Sequence, residues 1–185
     1  MKAAVIDPAW NGRAIAATAI EKGWEISHIL LTHSHFDHVG GLAELKEETG
    51  APIYIHPDAI EMLQNASRSA AMWQVHVPEP PAVDEMLGEG QVVKVGNLAL
   101  RVLYTPGHAP GHVCFYLPDH SVIFDGDVLF QGSIGRTDLP GGDYQVLMQS
   151  IHGKLMVLPG ETQVLSGHGP ATTIDQERQT NPFLS

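Results

Sequence analysis

The chain has a single cysteine, Cys114, so no internal disulfide can form and nothing calls for an oxidising compartment. Basic residues are scarce: 10 Lys and Arg stand against 21 Asp and Glu, for a formal net charge of -11. A nucleic-acid binder needs a cationic face to displace counterions, so that class is excluded as an expectation. No apolar run approaches the roughly 20 residues that span a bilayer, which argues against a membrane protein. There is no repeat, no low-complexity tract and no linker rich in Pro, Gly or Ser. The first residues run straight into structure with no apolar stretch and small-residue cleavage site, so a cytoplasmic location is expected.

What is present is a foldable, histidine-rich chain. Hydrophobic residues make up 43% of the 185, enough to bury a core that offsets ordering entropy, and one domain over 1–185 is expected. Eleven histidines in an acidic chain point first to a metal.

Apolar segments and turn residues give the outline. Strands are predicted at Ala3–Ile6, His28–Thr32 and Pro52–Ile55, with helices over Arg13–Lys22, Leu42–Thr49 and residues 57–64. Residues 65–90 read as a Pro-bearing loop. Two hairpins follow, Gln91–Val95 with Leu98–Tyr104 around Gly96-Asn97, and Val113–Leu117 with Val122–Asp125. A helix over Tyr144–Leu158 and a strand over Thr162–Ser166 close the pattern. Strand–helix units first and hairpins later predict an α/β sandwich of two packed sheets with helices outside.

The strongest chemical signal is Thr32-His33-Ser34-His35-Phe36-Asp37-His38-Val39-Gly40-Gly41, placed where an apolar strand ends. In extended chain, residues two apart share a side, so His33, His35 and Asp37 converge while His38 turns elsewhere. Imidazoles with a carboxylate suit zinc, iron or manganese. A polar loop that happens to hold three histidines has no reason to follow a buried strand. His108 after Thr105-Pro106-Gly107, Asp127 after Asp125-Gly126, and His168 after Ser166-Gly167 also follow apolar strands beside glycine. Singly each reads as a turn; with the first cluster they read as one metal site.

His33-x-His35-x-Asp37-His38, Thr105-Pro106-Gly107-His108, Asp125-Gly126-Asp127 and Gly167-His168-Gly169 resemble, in order and spacing, the metallo-β-lactamase superfamily. Within it the chain is similar to single-domain hydrolases related to glyoxalase II, including Gly135-Arg136-Thr137-Asp138 and the closing residues 177–184. The resemblance implies an αββα sandwich of two mixed sheets with outer helices. It implies that His33, His35 and His108 hold one divalent transition-metal ion, that Asp37, His38 and His168 hold a second, and that Asp127 bridges. Zinc is the expected metal, with iron or manganese as alternatives. A metal-bound hydroxide would attack an acyl carbon, Asp37 and Asp127 orienting it or passing on its proton. The implied substrate is a small thioester of the hydroxyacylglutathione kind, with no nucleic-acid or membrane partner. The net charge of -11 is no obstacle to an anionic substrate, because two divalent ions concentrate +4 where it binds.

Alternatives within the resemblance are a mononuclear iron persulfide dioxygenase and a lactonase or other ester hydrolase. A metal-stabilised binding protein without turnover is the reading from another class. Arg136 is a candidate for binding a substrate carboxylate, although anchoring its own loop through Asp138 is favoured. Family members carry further strands before the one predicted at Ala3, and Ala9 stands where glycine is usual. The expectation is therefore either that the first sheet lacks its edge strand or that the chain's start lies inside a longer gene product. The oligomeric state is not legible. Cys114 reads as a core thiol, His112 as a helper of the site or a sheet hydrogen bond, His56 as structural or exposed, and His28, His76, His120 and His152 as surface or turn residues. Trp73 and Tyr144 are candidates for lining a pocket.

Overall fold

A computed structural model describes residues 1–184, with mixed helices and strands in two compact units. One unit comprises Met1–Leu87 with Lys94–Leu98; the other comprises Gly88–Val93 and the residues from Ala99 onward.

In the first unit, β1 (Lys2–Ile6), β2 (Glu25–Leu30), β3 (Ile53–Ile55) and β4 (Glu85–Met86) form one sheet in sequence order. Every pairing in it is parallel, so this sheet departs from the mixed one expected. Helices α1 (Gly12–Glu21), α2 (Phe36–Val39), α3 (Leu42–Thr49), α4 (Ile60–Gln64) and α5 (Ala66–Met72) supply the connections. Ile29, Leu31, Leu42, Leu45, Ile53 and Ile55 are fully buried in one cluster, with Ala16 and Ala19 from α1. Gly12 sets the closeness of α1 to α3. A Cβ there would lie 2.2 Å from the Gly41 oxygen and 2.5 Å from the Leu45 nitrogen. Parallel strands gather their functional loops at their C-terminal ends, and β2 leads directly into Thr32 and His33.

The second unit holds β5 (Val92–Val95, its last two residues belonging to the first unit), β6 (Leu98–Tyr104, Leu98 likewise belonging to the first), β7 (Val113–Leu117), β8 (Val122–Gly126), β11 (Gln163–Ser166) and β12 (Thr172–Thr173), in sheet order β12-β11-β8-β7-β6-β5. Strands β6 and β8 both run antiparallel to β7, and β11 runs parallel to β8. The C-termini of β6, β8 and β11 therefore leave the same end of one sheet, carrying the segments of His108, Asp127 and His168. All five residues of β7 are buried. A short hairpin, β9 (Leu129–Phe130) with β10 (Ser133–Ile134), follows β8.

Helix α6 (Tyr144–Ser150) is capped by Asp143, whose carboxylate accepts from the Val146 amide at 3.0 Å. The helix predicted over Tyr144–Leu158 is α-helical only to Ser150 and widens to a π turn over Ile151–Leu155. Gly153, a weak helix former, sits inside that turn. The loop expected at 65–90 contains α5 and β4. Helix α7 (Ile174–Thr180), also unforeseen, is capped by Thr173, whose hydroxyl accepts from Gln176 N at 3.2 Å. Strand β2 begins earlier than predicted, at Glu25, and His28 within it is half-buried and stacked on Tyr54, not at the surface. No helix among the described residues is long and apolar enough to cross a membrane.

Candidate metal centre

Each unit presents one half of the predicted ligand set. In the first, the chain stays extended to His35 and then enters the one-turn helix α2, which carries Asp37 and His38. The alternation expected to bring His33, His35 and Asp37 to one side therefore stops at His35; a helical turn presents the carboxylate. His33 and His38 are buried, with ring centroids 4.1 Å apart, and His35 meets His33 edge-on at 4.8 Å. Asp37 is half-exposed.

Asp7, which stands between β1 and Pro8, organises this half. Its Oδ1 accepts from the Thr32 amide at 2.7 Å, and its Oδ2 from the Thr32 hydroxyl at 2.5 Å. His38 Nδ1 reaches the same Oδ2 at 3.0 Å. With its hydrogen given to Asp7, the Thr32 oxygen accepts from His33 Nδ1, 3.0 Å away. One carboxylate thus places the proton of both imidazoles on Nδ1 and leaves both Nε2 lone pairs for a metal. Ligand atoms of Asp7, His33 and His38 lie within 4.8 Å of one another. Asp7 has φ +48°, a left-handed conformation that costs a non-glycine residue about 1 kcal/mol or more. Strain kept at a site is characteristic of function.

In the second unit, His108 and Asp127 are buried while His168 is exposed. Asp127 Oδ2 lies 3.6 Å from His108 Nε2 and 3.6 Å from His168 Nε2. That is too long for a hydrogen bond. It is close to the roughly 3.4 Å separating two tetrahedral ligands, each about 2.1 Å from one ion. His108 donates Nδ1–H to the Arg136 carbonyl at 2.8 Å, so the lone pair that could serve a metal is again on Nε2. Several elements hold that geometry. The Asp143 amide donates to Gly107 O at 2.8 Å, and the Ser150 hydroxyl to Pro106 O at 2.7 Å, tying α6 to the segment before His108. Gly135 lies flat on the site: a Cβ there would come 2.0 Å from Asp127 O and 3.2 Å from His108 Nδ1. The donor chemistry fits transition-metal ions, with imidazole tautomers fixed by the protein and carboxylates beside them.

The remaining candidates divide. Arg136 makes a bidentate pair with Asp138, both contacts 2.8 Å, which is the anchoring arrangement. That pair holds the Asp138 carboxyl down at about 2. Asp125, wholly buried, has its carboxyl pushed well up by desolvation, and its Oδ2 accepts from Leu129 N at 2.9 Å. Cys114 is buried as expected, and His112 is drawn into the site's support. His76, His120 and His152 are exposed, as are Trp73 and Tyr144, at 60% and 45%.

Residues 1–168 match the metallo-beta-lactamase superfamily, and the chain belongs to it. The probable metallo-hydrolase YqgX of Bacillus subtilis is 44% identical, over 98% of this chain and 86% of that protein. Hydroxyacylglutathione hydrolase GloC of Haemophilus influenzae is 37% identical, over 99% of this chain and 87% of that protein. Among solved structures, TTHA1623 in a di-iron-bound form shares 44% identity and a TM-score of 0.91, covering 97% of this chain and 88% of that one. The B3 metallo-beta-lactamase BLEG-1 shares 38% identity and a TM-score of 0.92, covering 98% and 88%. The chain is a metallo-hydrolase of this fold, built to bind divalent metal.

Proposed function

We propose that the protein is a binuclear metal hydrolase of small thioesters, of the hydroxyacylglutathione kind. In this reading His33, His35 and His108 hold one ion, Asp37, His38 and His168 hold the other, and Asp127 bridges them. The observation that carries it is the equal 3.6 Å separation of Asp127 Oδ2 from His108 Nε2 and His168 Nε2, imidazoles assigned to different ions. The GloC relative supports the thioester, and the di-iron form of TTHA1623 supports two ions. We take zinc as the expected metal, with iron or manganese equally suited to these donors.

Two such ions supply Lewis acidity toward the acyl oxygen and a water acidified to near neutrality. The chain's own residues do the rest. Asp37, half-exposed at the start of α2, and buried Asp127 accept hydrogen bonds from the attacking water, orient it and take up its proton. A thiolate leaves readily, so no nucleophilic side chain is required. Arg136 stays with Asp138 and keeps its carbonyl on His108.

A second reading, hydrolysis of a β-lactam, is favoured by the likeness to BLEG-1. The metal-loaded protein should be offered S-lactoylglutathione, a chromogenic β-lactam and glutathione persulfide separately. Thiol release from the first, with no oxygen uptake from the third, is the expected result. β-Lactam turnover without thiol release installs the second reading. Oxygen uptake with sulfite formation, on about one iron per chain, replaces both with a dioxygenase.

A further inference from the structure

Behind Asp127 lies a run of buried polar groups that the metal ligands do not include. The Asp127 amide points at His112 Nε2, 3.2 Å away. His112 Nδ1 is 3.0 Å from the Thr105 hydroxyl, which is 3.2 Å from Cys114 Sγ. Cys114 Sγ is in turn 3.5 Å from the Asp125 carbonyl. His112, Thr105 and Cys114 are each fully buried.

The two ends of this run fix its direction. A backbone amide can only donate, so Nε2 of a neutral His112 accepts and Nδ1 carries the hydrogen. That hydrogen goes to the Thr105 oxygen, whose own hydrogen goes to the sulfur. The thiol hydrogen ends on the Asp125 carbonyl, which can only accept. Four hydrogen bonds point one way, and the ends grip the residues on either side of Gly126. That glycine has φ +55°, the left-handed turn that swings Asp127 out of β8. From the neighbouring strand, the Gly167 amide holds Gly126 O at 2.7 Å.

We propose that His112 is a positioning residue for the metal site: through Thr105 and Cys114 it locks the Gly126 turn, so that Asp127 presents its carboxylate in one fixed pose. The proposal rests on Asp127 being a metal ligand, and goes beyond it by giving work to three residues outside the ligand set. A directed chain does this better than apolar packing would, because each link orients its donor, and any missing link strands a buried polar group. Cys114 acts here as a hydrogen-bond relay with no redox step.

The test uses the full chain and needs no substrate. Long-range proton–nitrogen correlation on nitrogen-labelled protein reads the His112 tautomer, which should be Nδ1–H; an Nε2–H form overturns the proposal. Thr105→Val keeps the side chain's shape and removes its hydroxyl. Competition with a chromophoric chelator for Zn(II), and the visible spectrum of the Co(II) form, then read the site. Thr105→Val should weaken retention about tenfold or more and alter the Co(II) spectrum, with Thr105→Ser restoring both. A Thr105→Val protein that is less heat-stable yet binds Zn(II) as the wild type does reduces the chain to ordinary packing and overturns the proposal. If Thr105→Val does not fold, the pair Cys114→Ser and Cys114→Val makes the same comparison, only the serine keeping the relay. Failure of thioester turnover with intact Zn(II) binding would sink the substrate reading and leave these measurements standing.

Discussion

His38 donates its Nδ1–H to Asp7 Oδ2 across 3.0 Å, and Asp7 is the residue at which β1 ends in a left-handed turn. The link joins a strained backbone position to the orientation of a candidate metal ligand. Asp7 is buried apart from a small fraction, its side chain 11% exposed, and it accepts two further hydrogen bonds from Thr32. Replacement by Ala removes the acceptor for all three. Asp7→Ala should therefore lower divalent-metal affinity by about 10- to 100-fold, the range for loss of a partner behind a ligand. Chelator competition measures it, and wild-type affinity in a folded Asp7→Ala protein would deny Asp7 this role.

Asp127 is the carboxylate between two imidazoles, so its loss should cost more than the loss of any supporting residue. Asp127→Ala is expected to drop metal content from about two ions per chain to about one or fewer. Thioester turnover should fall more than about a hundredfold, beyond what loss of an outer partner produces. Elemental analysis and thiol release are the readouts. A variant that keeps both ions would remove Asp127 from the bridge.

The candidate ligands are legible in the sequence and their supports are not, for a physical reason. His33, His35 and Asp37 follow an apolar strand at close spacing, and that local pattern is visible on a line of text. Asp7 lies 31 residues from His38, and a lone Asp before Pro reads as a turn; only the parallel pairing of β1 with β2 brings it to Thr32. His112 reads two ways on the sequence alone, because nothing local says that β7 and β8 bring it to the Asp127 amide. Among the elements, β4 has two exposed residues and exists only by pairing with β3. Helix α5 buries only Ala66 and Ala70, too small to mark an apolar stripe. Helix α7, absent from the predicted elements, does carry a readable start signal, since Thr173-x-x-Gln176 is a capping pattern.

Asp84 predicts a pH dependence of stability. Its carboxylate accepts from Lys46 Nζ and from the Ile53 amide, both at 2.8 Å, and its amide donates to Ile53 O at 3.1 Å, tying the approach to β4 against β3. The Lys46 hydrogen bond, then the Ile53 amide, holds its carboxyl below the ordinary 3.8. A depressed folded value means stability fully present above the unfolded value and lost as pH falls through the folded one. Asp84→Asn should therefore be less stable than wild type at pH 7, with the gap closing as pH falls below about 4. The group is 39% exposed, so solvent screening keeps the effect small. Urea unfolding across that range measures it, and a gap that widens in acid would contradict the sign.

Gly135 separates the scaffold's contribution from the ligands' own. A Cβ there would sit 2.0 Å from Asp127 O, closer than carbon and oxygen can approach, and the contact is backbone that cannot swing aside. The loop must move, and it carries the Arg136 carbonyl that holds His108 Nδ1 at 2.8 Å. Gly135→Ala should thus cost about 1–3 kcal/mol in stability, as forced overpacking does. It should also weaken metal binding about tenfold, though no ligand is changed. Gly88→Ala is the control, because a Cβ at Gly88 meets nothing within 4 Å. Thermal unfolding and Zn(II) competition on the two variants give the comparison. Equal metal affinity in both would show that His108 keeps its pose without the Arg136 carbonyl, and the fixed-tautomer account of this half of the site would fall.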